Sequence, residues 1–290
     1  MQTQVSGLSM AFMAVSGAIG FFLPLALVIY FKRKKKADLI SAAIGAAVMV
    51  LFAFVLERAV LNLLAGSPLL ALIGGNFISY SIYGGLMAAL FEETGRYLAM
   101  RFLMKKQQAN PSNALMYGAG HGGIEAVVVL TVPMINNLIY SALINRGMIE
   151  SMVSQLPEAS RGQMQQVIEQ LVLSPAQTFL LGGMERISAI LLQICLSMLV
   201  WLAVIGKKSK YFGVALIMHF LVDTGLIFVV KLFGPIVAEA VLLLAAIVAI
   251  TLTAGFFAHI IEKGSPDAGG RDKEPSEDPL LTSDQADSDQ

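Results

Sequence analysis

Long apolar runs alternate with short polar breaks along almost the whole chain. A helix needs about 20 apolar residues to cross the hydrocarbon of a bilayer. Seven stretches meet that length, at 9–31, 38–63, 77–104, 112–145, 176–205, 211–232 and 236–261. The piece GSPLLALIGGN at 66–76 is too short to span and reads as a loop or half-helix. One polar break keeps a helical rhythm of its own. In GQMQQVIEQLVLS, the residues Met164, Val167, Ile168, Leu171 and Val172 follow the i, i+3, i+4, i+7, i+8 pattern, with Gln and Glu on the other face. This predicts an external amphipathic helix at about 160–174, lying on the outer surface. From Gly264 the pattern stops, and Pro, Gly, Ser, Asp and Glu dominate. The expected fold class is therefore all-α: a polytopic transmembrane helix bundle of about seven spans, occupying residues 1–263. A disordered acidic cytoplasmic tail is expected at 264–290.

Composition agrees with the pattern. Hydrophobic residues make up 56% of the chain and charged residues 14%, against about 25% charged in soluble domains; mean hydropathy is +0.72. Charge then sets the expected orientation. With seven spans, fourteen Lys and Arg fall on one side: residues 32–36, Arg101, Lys105, Lys106, Lys207, Lys208, Lys210, Lys263, Arg271 and Lys273. Only Arg58, Arg146, Arg161 and Lys231 fall on the other. The N-terminus is thus expected outside and the C-terminus in the cytoplasm; an eight-span arrangement would break this alternation. The first apolar stretch lacks the basic front of a signal peptide and reads as a retained span. The KRKKK cluster is a topology signal that also touches anionic lipid. Cys195, the one cysteine, rules out an internal disulfide and a zinc–thiolate cluster and reads as a small buried hydrophobe. Trp201 reads as an interfacial anchor, and His259 as facing the interface. No phosphate loop, dinucleotide fingerprint or nucleic-acid module appears, so no nucleic-acid partner is expected; oligomeric state is left open.

Chemistry enters through the ionisable residues inside the spans, which are costly there and usually functional. Glu93 lies twelve residues before Lys105, His121 ten after Pro111 and His219 nine after Lys210. At about 1.5 Å per residue these are depths of roughly 18, 15 and 14 Å. Glu125 and Asp223 are one turn deeper on their helices. Glu92 and Arg96 are four apart, as are Tyr117, His121 and Glu125 in succession and His219 and Asp223, so each set shares one helix face. Each histidine has a carboxylate one turn away that can orient its ring. Glycines surround the group in GAGHGGIE and permit close helix contact or approach of a substrate backbone. Two Glu–Arg dipeptides, Glu57–Arg58 and Glu185–Arg186, lie toward the outer ends of their spans and read as a structural ion-pair layer between two helices. Water is expected to reach the inner-half site from the cytoplasm beside GAGHGG, with that layer closing the outer side.

The segments EETGR (Glu92 to Arg96), YGAGH (Tyr117 to His121) and HFLVD (His219 to Asp223) resemble motifs of the CAAX-protease and bacteriocin-processing (CPBP) membrane proteases. That group shows a double Glu followed by Arg, then Phe-x-x-x-His, then His-x-x-x-Asn or Asp. The version here, with GHGGIE, is most similar to the bacterial YhfC-type family of intramembrane proteases. The resemblance runs from Tyr83 to Asp223. It implies an intramembrane endopeptidase of the bacterial cell membrane acting on a membrane protein or peptide. Glu92 or Glu93 would activate water, His121 and His219 would stabilise the oxyanion, Asp223 would assist His219, and Arg96 would hold the glutamates. The Glu-to-Arg spacing is one residue shorter than in many members, Tyr117 stands for Phe, and Glu125 is an added carboxylate.

Two His and a carboxylate (His121, His219, Glu93) would also suit zinc with an open position. HGGIE is not the helical HExxH, however, and the sequence favours chemistry without a cofactor. The alternatives are a noncatalytic membrane scaffold or chaperone with a protease-like core, and then an ion- or proton-coupled transporter.

Overall fold

A computed structural model describes residues 4–263, and no strand occurs among them. The elements are α1 (Gly7–Lys35), α2 (Leu39–Leu64), α3 (Pro68–Gly74), α4 (Phe77–Leu103), α5 (Ser112–Asn145), α6 (Ile149–Ser154), α7 (Glu158–Leu173), α8 (Ala176–Ile205), α9 (Lys210–Phe233) and α10 (Pro235–Lys263). Among the described residues six helices are long and apolar enough to cross a membrane, and α3 with α4 makes a seventh candidate bent by 110°. The half-helix expected at 66–76 is α3. Ser67 caps its start, and Asn76 accepts from Ile78 N and Ser79 N to restart the chain as α4. The tail expected at 264–290 lies outside the described residues, as does the side chain of His259.

The bundle is built around α8. Residues Leu192 to Ala203 are buried in an unbroken run, as expected of a helix that is apolar on every side. Helices α1, α5, α9 and α10 pack around it, α2 packs on α5, and α4 packs on α9. The α2–α5 contact is backbone to backbone: a Cβ at Gly120 would lie 2.1 Å from Ala42 O, and one at Gly45 would lie 2.3 Å from Tyr117 O. At the α4–α9 crossing a Cβ at Gly85 would lie 2.9 Å from Thr224 N. These approaches bring the histidine helices α5 and α9 against the rest of the core.

Helix α5 changes to a π-helical turn over Val127–Thr131, just before Pro133, whose missing N–H cannot complete the regular ladder. The amphipathic helix appears as α7. Its apolar residues Val167, Ile168, Leu171 and Val172 pack against Val5, Met13, Ile144 and Phe179, so this face meets protein. Cys195 is buried, with Sγ 3.0 Å from Thr253 Oγ1. Trp201 corrects the expectation of an interfacial anchor. It is 2% exposed and sits in the core beside Met198 and Leu202, because α8 is enclosed on all sides at that level.

Candidate functional site

Three helices contribute ionisable side chains at one level, and a fourth links them. From α4, Glu92, Glu93 and Arg96 point inward and are buried. Glu93 is held by Arg96, with Nη1 2.9 Å from Oε1 and 3.2 Å from Oε2. Its Oε1 also lies 2.8 Å from His219 Nδ1 on α9. That acceptor fixes the proton of the His219 ring on Nδ1 and leaves Nε2 facing the other way. There Nε2 meets Asp223 Oδ2 at 3.4 Å and Glu92 Oε2 at 4.0 Å. Glu92 Oε2 is also 3.0 Å from His121 Nε2 on α5. One carboxylate oxygen therefore lies between the Nε2 atoms of both histidines. Tyr117 stacks on His121 with ring centroids 5.9 Å apart, which fixes the imidazole plane.

The link is Gln193 on α8. Its Nε2 donates to Glu92 Oε2 at 3.0 Å and to Glu125 Oε2 at 2.9 Å, and its Oε1 accepts from Arg96 Nη2. Sequence reasoning passed over this residue. The signal was a lone amide in the apolar run AILLQICLS, where it must find partners. Glu125 continues the chain of contacts to Arg186 Nη1 at 2.7 Å, and Arg186 Nη2 also binds Glu185. Here the structure corrects the ion-pair layer expected between two helices. Arg186 pairs with Glu125 and its neighbour, and no ion pair among the described residues involves Glu57 or Arg58.

A cavity of about 90 Å³ is lined by Glu92, Glu125, Arg186, Gln193, His219 and Asp223, among others, with room for several waters. Glu93, Arg96 and His121 lie behind this wall, each 0% exposed. The cavity extends toward Glu185 and Arg186, away from the basic ends of the helices. On the basic side the site abuts the packed side chains of Met100, Met104, Met116, Met198 and Trp201. An opening there beside GAGHGG was the expectation, and this core fills that side: Gly120 rests on Ala42 and Gly122 on Gln193.

The donor set bears on a metal. Zinc with nitrogen and oxygen ligands at about 2.0–2.1 Å in a tetrahedron sets neighbouring donors roughly 3.3 Å apart. His121 Nε2, Glu92 Oε2, His219 Nε2 and Asp223 Oδ2 follow one another at 3.0, 4.0 and 3.4 Å, donors of the type that zinc takes. The side chains contact one another directly, and no three among the described residues form a ready-made ligand set. Glu93, expected among the zinc ligands, is instead taken up by Arg96 and by the far nitrogen of His219.

The fold and this centre define a polytopic membrane protein with a buried cluster of carboxylates and imidazoles beside a polar cavity. A family model described as YhfC intramembrane metalloprotease matches residues 19–262, and the chain belongs to that family. It is also 39% identical over 220 residues to a protein of Bacillus subtilis (strain 168) named "Uncharacterized membrane protein YhfC", covering 74% of this chain and 83% of that one. No solved structure matches the chain.

Proposed function

We propose that the chain is an intramembrane endopeptidase of the bacterial plasma membrane, and that the cluster of Glu92, His121, His219 and Asp223 hydrolyses a peptide bond of a membrane-embedded substrate. The observation that carries this reading is the position of Glu92 Oε2 between the two imidazole Nε2 atoms, at the wall of a cavity able to hold water. The family description supports the class of reaction. His121, His219 and Asp223 would hold a zinc ion, which would polarise water and the scissile carbonyl.

The roles of the protein's own groups follow from their contacts. Glu92 takes a proton from the attacking water as its oxygen adds to the carbonyl carbon. The C–N bond then breaks, and the proton passes to the leaving amine. Glu93 is a positioning residue: it holds the Nδ1 proton of His219 and is itself fixed by Arg96. Gln193 orients Glu92 through its amide. With the N-terminus outside, as the distribution of Lys and Arg implies, the reaction would fall in the cytoplasmic half of the bilayer at the depth of Glu93, His121 and His219.

The test uses the purified chain in liposomes with a pool of synthetic single-span peptides, read by mass spectrometry. Expected are two complementary fragments of one or more peptides, loss of cleavage with 1,10-phenanthroline and its return on adding zinc. No cleavage of any peptide would contradict the protease reading. Cleavage undiminished by the chelator would contradict the metal.

A further inference from the structure

The polar cavity has an apolar neighbour. A groove of about 530 Å³ runs between α9 and α10 on the outside of the bundle, lined by side chains such as Val214, Ile217, Leu221, Val241 and Ala245 and by Gly225. Four residues, Met218, Val222, Leu226 and Leu242, line both spaces. They lie between the groove and the cavity whose wall carries His219, Asp223 and Glu92. On α9 the lining runs from Val214 to Val229, fifteen residues or about 22 Å of helix, and so passes the level of the site.

The seam is the place where two separately packed pairs meet. Helix α9 packs chiefly on α4, and α10 chiefly on α8. Helix α9 buries only Ala215, His219 and Thr224. The two helices are joined by the tight turn at Gly234, with φ 83°, and along the seam Val222 and Leu226 of α9 pack on Leu242 of α10.

We infer that this seam is the substrate entrance, and that the groove receives a single apolar transmembrane segment of the substrate and delivers it past Val222 and Leu242 to the polar cavity. The inference rests on the protease reading of that cavity and adds the substrate class and its route. A water-soluble peptide would meet no polar partner along the lining. A membrane segment would bury its apolar side chains there, while its backbone groups would find polar partners only on reaching the cavity.

The test maps contacts and does not depend on cleavage. The full-length Glu92→Gln chain, in liposomes of phosphatidylethanolamine and phosphatidylglycerol, is mixed with single-span peptides of about 20 apolar residues bearing a central diazirine-leucine. After illumination, adducts are located by mass spectrometry. They are expected on Ile217, Leu221 and Val241 at roughly tenfold the level on Ile29 and Ile139, a modest preference on the scale of binding energies; Ile29 and Ile139 are exposed apolar residues of α1 and α5. No atom lies within 4 Å of a Cβ built at Gly225, so Gly225→Trp fills the groove without a core clash and should remove the excess; Ala245→Trp on the facing helix should do the same. Adducts spread evenly, as for a groove filled by lipid, would overturn the inference. So would adducts absent from the groove because a second copy of the chain covers it. Adducts in the groove with no cleavage by the wild-type chain would keep the entrance and sink the protease reading; cleavage with no groove adducts would do the reverse.

Discussion

Replacing Arg96 by leucine is expected to destabilise the protein by about 3–5 kcal/mol, the range for breaking a buried ion pair from one side. Arg96 is 0% exposed and holds Glu93 with Nη1 and Gln193 with Nη2. Leucine would leave the Glu93 carboxylate with only His219 Nδ1 as a partner, and Gln193 Oε1 with none. For a protein in this size range each kcal/mol moves the melting temperature by about 2–4 °C, so a fall of roughly 6–20 °C in detergent is expected. The double variant Arg96→Leu/Glu93→Gln should recover part of that loss, because it removes the stranded charge as well. A melting curve superimposable on that of the wild type would mean that the α4 pair contributes little to holding the site.

The second large effect is steric. Gly120→Val is expected to force α5 away from α2, since even its Cβ would stand 2.1 Å from Ala42 O and 2.6 Å from Ala42 C and Cα. These are backbone atoms and cannot rotate aside. Overpacking of this kind costs about 1–3 kcal/mol or more. His121 is the next residue, so the shift is carried directly into the site, where about 1 Å of displacement lowers rates by about 10²-fold. Gly213→Ala on α9 is the control. It lies in a helix with no atom within 4 Å of its would-be Cβ, and alanine should be neutral or stabilising by up to about 1 kcal/mol. Loss of peptide cleavage and a lowered melting temperature for Gly120→Val, against an unchanged Gly213→Ala, is the expected pattern. Equal behaviour of the two would contradict the close α2–α5 contact.

Much of this architecture could be read from the sequence because bilayer thickness imposes it. The apolar runs predicted at 9–31 and 236–261 appear as Gly7–Lys35 and Pro235–Lys263, and the short run at 66–76 became the bent-in α3. Depth was legible for the same reason: counting residues from Lys105, Pro111 and Lys210 brought Glu93, His121 and His219 to one level, where the structure joins them through Glu92 and Glu93. What residue counting does not supply is which helices are neighbours. The dipeptides Glu57–Arg58 and Glu185–Arg186 were grouped by depth alone, yet Arg186 faces Glu125, because α8 packs on α5. Gln193 was missed because its amide carries no charge, and the site was traced through ionisable residues alone. The side on which the cavity opens depends on where Met100, Met116, Met198 and Trp201 come together, and residues so far apart in sequence give no local pattern.

The central claim is that the Glu92–His121–His219 cluster performs hydrolysis. Its most direct test is the ratio of initial cleavage rates of one single-span peptide by Glu92→Gln and wild-type protein, at equal amounts of folded chain. Glutamine keeps the size of the side chain and removes the group that accepts the water proton. The account predicts a rate lower by about 10²–10⁴-fold, the usual contribution of a general base, with Glu57→Gln, whose carboxylate forms no ion pair among the described residues, cleaving as the wild type does. A Glu92→Gln protein that cleaves at the wild-type rate would contradict it.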